Sequence, residues 1–330
     1  MLKERINKMK TGDTIWDYRN PYEWMKRVRT SSLPPLIICC AITGGVQGKE
    51  ANPDLPETPE EQVEQTYHAY KAGATMVHIH ARDPNKWYDS SGSAEQYRLV
   101  HRLIRAKCPD IIINDTTGGT WGMTVEERVA CLDAQPEMAS LNMGPDMYKT
   151  TLKERRAPLL HPRPELQLDG CMPVTYEEIT TFAKAMKERG VKPEMEMYQP
   201  GQVWGVHDLI AQGLLDPPYL IQFVMGYTTS SYPTPANVLG LVNELPEQAV
   251  FAVAGIGSYQ LTMTTMGILL GGHVRVGLED NVYARRGQLY KSNAEAVERI
   301  ARIAHELNRE IATPAQAREM LGLSQTPTQY

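Results

Sequence analysis

The chain has 330 residues, 42% of them hydrophobic and 22% charged, with a net charge of −5. That length and apolar share suit one large globular domain with a substantial core, and the acidic balance excludes a polybasic surface for nucleic acid or an anionic membrane. The cysteines Cys39, Cys40, Cys108, Cys131 and Cys171 are odd in number and form no C-x-x-C pair, the usage of a reduced, cytoplasmic protein.

Residues 1–34 are charged and lack the apolar run of a signal peptide, yet they carry Trp16, Tyr18, Tyr22 and Trp24. They read as an N-terminal extension that packs on the body of the protein or on a neighbouring subunit. No stretch reaches the ~18 apolar residues needed to cross a bilayer.

From there, short apolar runs alternate with helical patterns. The runs predict strands over 36–42, 75–81, 111–115, 138–142, 193–198, 220–225, 250–254 and 273–278. Helices are predicted over 58–72, 94–107, 124–134, 175–189, 202–212, 235–245, 259–270 and 293–308. Thr58-Pro59-Glu60-Glu61 and Thr313-Pro314-Ala315-Gln316 have the residues of a capped helix start, and Gly73 and Gly190 stand where helices should end. Eight β-then-α units point to an α/β fold, a closed (β/α)8 TIM barrel, over 35–323. Residues 324–330 read as a flexible C-terminal tail. Gly255-Ile256-Gly257 lacks the third glycine of a dinucleotide fingerprint, which weakens an open-sheet alternative.

A barrel works at the C-terminal ends of its strands. The second predicted strand ends in His78-Ile79-His80, whose imidazoles, two residues apart, share a face and can reach one metal ion. The eighth runs through Arg275, Gly277 and Glu279 on one face, with Asp280 opening the loop. Closure brings the eighth strand beside the first and the first beside the second, so Glu279 can meet His78 and His80. Two His and one Glu with an open position make a catalytic zinc shell. Two other readings compete: an amidohydrolase-like metal-dependent hydrolase, and a non-catalytic metal-binding barrel. The hydrolase is disfavoured because H-x-H falls on the second strand and the middle strands end in Thr, Ser, Asn and Glu. The inert barrel is disfavoured because structural zinc is normally closed by four ligands.

Ala41-Ile42-Thr43-Gly44, Asn52-Pro53-Asp54-Leu55-Pro56, Val77-His78-Ile79-His80, Thr117-Gly118-Gly119, Val253-Ala254-Gly255-Ile256-Gly257 and the run Gly271 to Asn281 occur in one order along the chain. In these blocks the sequence resembles the β-keto acid cleavage enzymes, over residues 35–323. The resemblance implies a zinc-dependent barrel transferase, usually a homotetramer, with one Zn2+ per subunit. Such enzymes convert a β-keto acid and acetyl-CoA into acetoacetate and a new acyl-CoA. Position by position it implies His78, His80 and Glu279 as metal ligands, and Arg275 with Asp280 as a catalytic dyad. It further implies Glu196 as a catalytic carboxylate and Thr116, Thr117, Gly119, Ser140 and Asn142 as contacts to the substrate's carboxylate end. With CoA as co-substrate, Gly255 and Gly257, on the catalytic face, become candidates for holding its phosphates through backbone N–H groups. One position departs from the family's amino-substrate branch: Val46 stands where that branch carries a Glu that meets an ammonium group. A neutral wall predicts an uncharged substrate tail, unless the aromatic faces of Trp87 and Tyr88 hold a cation instead.

Overall fold

Eight short parallel strands, buried along nearly their whole length, hydrogen-bond into a closed ring in the order β1-β12-β11-β10-β9-β6-β5-β2. They are β1 (Ile38–Ala41), β2 (Met76–Ile79), β5 (Ile112–Asp115), β6 (Met138–Asn142), β9 (Lys192–Met197), β10 (Tyr219–Met225), β11 (Ala249–Gly255) and β12 (His273–Val276). All eight fall on the predicted strands. The structure is a computed structural model and describes residues 14–330 other than Trp121 and Thr228.

Helices α2 (Pro59–Lys71), α3 (Ala94–Lys107), α4 (Val125–Val129), α5 (Tyr176–Arg189), α6 (Val203–Ala211), α7 (Pro235–Asn243), α8 (Gln260–Leu269) and α9 (Asn293–Glu306) fill the intervals. Thr58 caps α2 in a reciprocal box with Glu61, and Thr175 does the same for α5 with Glu178. The predicted helix 124–134 divides, because α4 tightens into a 3-10 turn over Ala130–Ala134.

Period two sorts the interior into levels. Ile37, Cys39, Met76, Ile112, Met138, Leu220 and Val250 form an apolar floor, closed from below by Met320 and Leu321 of α10 (Pro314–Leu321). Two residues further along, β2, β5, β6 and β10 present His78, Asn114, Ser140 and Gln222, and β12 adds Arg275, all buried. The floor is a core and the upper level is a site.

Three antiparallel ribbons rise from the strand ends: β3 (Arg82–Asp83) with β4 (Lys86–Ser90), β7 (Asp146–Leu152) with β8 (Leu166–Met172), and β13 (Tyr283–Arg285) with β14 (Gln288–Leu289). Periodicity does not readily predict them, since they are largely exposed or half-buried and only β8 carries a partial apolar alternation, Leu166, Leu168 and Met172.

In the N-terminal arm Trp16 is buried, its ring 4.6 Å from that of Tyr18, which meets Phe251 edge-on at 4.7 Å. Trp24, on α1 (Pro21–Arg29), donates to the carbonyl of Leu269, whereas Tyr22 is exposed. Residues 1–13 lie outside the described ones. The tail 324–330, expected to be flexible, is instead pinned. Thr328 N–H donates to Glu137 and its carbonyl accepts from Arg105 Nε, both at 3.0 Å, while the Tyr330 ring lies 4.6 Å from that of His101. Glu137 and Arg105 are buried, and the tail's backbone completes their hydrogen bonding.

Candidate active site

His78 is the penultimate residue of β2 and His80 directly follows the strand; Glu279 lies beyond β12. Glu279 Oε1 is 3.8 Å from His78 Nε2 and 3.4 Å from His80 Nε2. One ligand atom from each of the three lies within 4.8 Å of the others. His80 Nδ1 is 3.0 Å from Ser90 Oγ, which orients the ring and leaves Nε2 facing Glu279. His78 Nδ1 and Glu279 Oε2 are buried with no hydrogen-bond partner among the described residues. Burial, aided by the Arg275 cation, holds His78 well below the ordinary histidine range and so neutral. Burial pushes the Glu279 carboxyl up, but the Arg275 cation and a hydrogen bond from His80 outweigh it and hold it well below the carboxylate range. Neutral imidazole beside ionised carboxylate, with polar atoms left over, is a donor set that fits zinc. Backbone makes room for it. Gly44 has φ +68°, and a Cβ there would lie 2.8 Å from Glu279 Cγ.

Arg275 is the hub of the site. Its guanidinium grips Asp280 with Nε to Oδ2 at 3.0 Å and Nη2 to Oδ1 at 2.8 Å, reaches Glu196 Oε1 from Nη1 at 3.0 Å, and bonds Glu279 through Nη2. Burial pushes the Asp280 carboxyl above its usual range against the pull of Arg275, and the Glu279 charge adds to the rise. Glu196 is pinned on both oxygens, by Gln222 Nε2 at 3.0 Å to Oε1 and by the Tyr198 hydroxyl at 3.4 Å to Oε2. Burial raises it to about 8 although Arg275 opposes the shift. Through Oε1 Glu196 also holds the Arg275 guanidinium.

His80, Glu196, Arg275, Glu279 and Asp280 line a cavity of about 440 Å³ over the barrel mouth, which Val46, Thr116, Gly119 and Asn142 also line. Thr116 Oγ1 accepts from Gly118 N–H at 2.9 Å and keeps its proton for a ligand; Asn142 Oδ1 is buried without a partner among the described residues. Thr117 and Ser140 do not line the cavity. The Thr117 hydroxyl donates to the Ser140 carbonyl at 2.6 Å, and the Ser140 hydroxyl accepts from Thr117 N–H, so the pair is a clasp between strand ends. The expected phosphate turn is also differently employed. Ile256 N–H donates to Met225 O and Gly257 N–H to Asp280 O, which leaves neither for a phosphate, and Gly255 is buried within β11. Gly257, at φ +60°, instead fixes the backbone of Asp280.

Sequence reasoning missed Asp146, Tyr148 and Tyr227, which line the cavity together with Tyr198, just beyond β9. Their signal was weak because Asp146 and Tyr148 sit on a ribbon read as loop. The Tyr88 ring is covered by its own chain's cations, Arg163 at 4.9 Å and Arg155 at 5.8 Å.

A sequence profile described as beta-keto acid cleavage enzyme matches residues 35–323. The 3-keto-5-aminohexanoate cleavage enzyme of Fusobacterium nucleatum is 39% identical over 87% of this chain and 98% of its own length. The 3-oxoadipate:acetyl-CoA acetyltransferase of Cupriavidus necator is 36% identical over 88% of this chain and 95% of its own. Among solved structures, apo ObcA superposes with a TM-score of 0.68 at 20% identity, over 82% of this chain and 66% of that one, a likeness of fold.

Proposed function

The chain belongs to the β-keto acid cleavage enzyme family, and on that premise we propose that it exchanges acyl groups between a β-keto acid and acetyl-CoA. The products are acetoacetate and a new acyl-CoA. The observation that carries this reading is that the His78, His80 and Glu279 cluster meets the Arg275–Asp280 fork through Glu279, at a cavity that His80, Glu279, Arg275 and Asp280 line.

Carbon balance defines what the residues must do. The CH2–COO⁻ unit of the keto acid leaves its acyl group and joins the acetyl carbon, and the displaced acyl group ends on the CoA sulfur. That exchange requires a base for the CH2 proton, donors for the carboxylate and stabilisation of the enolate. Asp280, buried with a raised pKa and fixed by Arg275 and Gly257, is placed to take the proton. Thr116, Asn142 and the backbone at Gly119 offer donors to the carboxylate. Zinc held by His78, His80 and Glu279 would supply Lewis-acid polarisation of the reacting carbonyl. A cytoplasmic location is supported by the buried free thiols Cys39, Cys40, Cys108 and Cys131. A homotetramer, which the resemblance implies, is compatible with the exposed Tyr22, Met25 and Val28 of α1.

The test is incubation of zinc-loaded protein with [1-13C]acetyl-CoA and a panel of β-keto acids, read by mass spectrometry. The label should appear in the keto carbon of acetoacetate, with one equivalent of unlabelled acyl-CoA. Unlabelled acetoacetate, or acyl-CoA from no acid in the panel, would overturn the reading.

A further inference from the structure

Four carboxylates line the cavity: Asp146, Glu196, Glu279 and Asp280. Arg275 holds the last three. Asp146 is only 8% exposed, and among the described residues no cation or hydrogen-bond donor from another side chain meets its carboxyl. An unpaired buried carboxylate opposes folding, so its presence in a ligand cavity calls for a partner from outside the chain. Its surroundings narrow the choice. Tyr148 lies two residues along the same face of β7, and the rings of Tyr198 and Tyr227 stand 6.0 Å apart at a 55° tilt on the same cavity. Aromatic faces attract cations, and the remaining surface nearby, Val224, Ala254 and Met172, is apolar. A neutral acyl tail would leave this carboxylate desolvated and unpaired, and an anionic one would be repelled. Burial already pushes Asp146 up to about 6, the response of a charge that lacks a counterion.

We propose that Asp146, with Tyr148, Tyr198 and Tyr227, receives a cationic nitrogen on the tail of the β-keto acid. This rests on the acyl-exchange reading above, and it replaces the uncharged tail expected from Val46. Val46 does line the cavity, but the carboxylate that position lacks is supplied from β7, across the barrel mouth.

The test compares 3-oxo-4-(trimethylammonio)butanoate with its neutral isostere 5,5-dimethyl-3-oxohexanoate, and adds 5-amino-3-oxohexanoate as a primary ammonium. All are assayed on the zinc-loaded enzyme at saturating acetyl-CoA. The quaternary acid should exceed its isostere in kcat/KM by about 30-fold or more, since pairing a desolvated charge is worth at least that ratio. Asp146→Asn should bring the ratio within about threefold. Tyr227→Leu should lower it for the quaternary acid more than for the primary amine, whose N–H groups bond the carboxylate directly. A parental ratio near or below one overturns the proposal, as does a ratio that Asp146→Asn leaves unchanged. An Asp146→Asn effect on the KM for acetyl-CoA shared by all three acids would assign the carboxylate to CoA instead. If none of the acids yields acyl-CoA, the acyl-exchange reading fails, and calorimetric binding of the quaternary acid and its isostere then decides the tail pocket alone. Preferential binding of the cation, lost in Asp146→Asn, sustains it; equal binding overturns it.

Discussion

His80 is held by Ser90 on one nitrogen and faces Glu279 with the other, so its ring is oriented before any ligand arrives. His80→Ala should therefore release most of the bound metal and abolish turnover without unfolding the barrel, because the ring fills no part of the apolar core. Metal analysis that finds the variant as loaded as its parent would remove His80 from the site. Asp146 makes the opposite kind of residue, one the apo fold tolerates at a cost. Its pKa rises from 3.8 to about 6 on folding through burial, so the folded state binds more protons across that window and stability falls as pH rises through it. Asp146→Asn removes the term. At pH 7.5 the apo variant should be more stable than the parent by on the order of 1–2 kcal/mol, discounted because the carboxyl is partly solvated, and the difference should shrink as pH falls toward 4. Equal melting curves at pH 7.5 would show that the carboxyl is not strained. The two residues also differ in how legible they were. His78, His80 and Glu279 stand out because strand pleating alone places them on one face, whereas Asp146 becomes visible only when a ribbon folds back over the mouth.

The β7–β8 ribbon that carries Asp146 and Tyr148 is tied to the barrel by ions buried below it. Arg155, in the connection between the two strands, bonds Glu50 at 2.8 Å and Glu57 at 2.7 Å, and Arg163 bonds Glu50 at 2.8 Å, with Tyr88 packed against both guanidinium groups. The Arg155 side chain is fully buried. Removing one partner of such a network strands another, so Arg155→Met should destabilise by about 3–5 kcal/mol, because Glu57 loses its ion-pair partner while Glu50 keeps only Arg163. It should also expose residues 153–165 to protease in the native state, and raise KM for the keto acid more than it lowers kcat. Unchanged proteolysis with a lowered kcat would instead place Arg155 in the chemistry. No sequence pattern announced this element. Its strands are only partly buried, and what fixes them is charge pairing with a segment about a hundred residues earlier, Glu50 and Glu57, which periodicity cannot report.

Across the molecule, the two ends of the barrel divide the labour. The catalytic end collects buried carboxylates around one guanidinium, while the opposite end is closed by apolar packing of α10 and by an ion cluster under the C-terminal residues. There Glu137 accepts from Arg105, Arg318, Ile113 N–H and Thr328 N–H, and so depends on the tail for one of its bonds. The barrel itself was legible from eight apolar runs, because buried parallel strands are nearly continuous in hydrophobicity. The tail was not, since Ser324-Gln325-Thr326-Pro327-Thr328-Gln329-Tyr330 has loop composition and is ordered by what it covers. Deleting residues 324–330 would leave Glu137 and Arg105 short of partners and uncover His101, whose buried Nε2 lies 2.8 Å from Asp115 Oδ1. Each lost bond to a charged buried group is worth about 1.5–3 kcal/mol, so the deletion should lower stability by several kcal/mol. The reacting groups lie at the other end of the strands and share no bond with the tail. Below the melting transition the truncated enzyme should therefore keep its parental kcat/KM while its Tm drops by several degrees. A truncated enzyme that melts like the parent, or one that loses kcat while still folded, would mean the two ends are not separate.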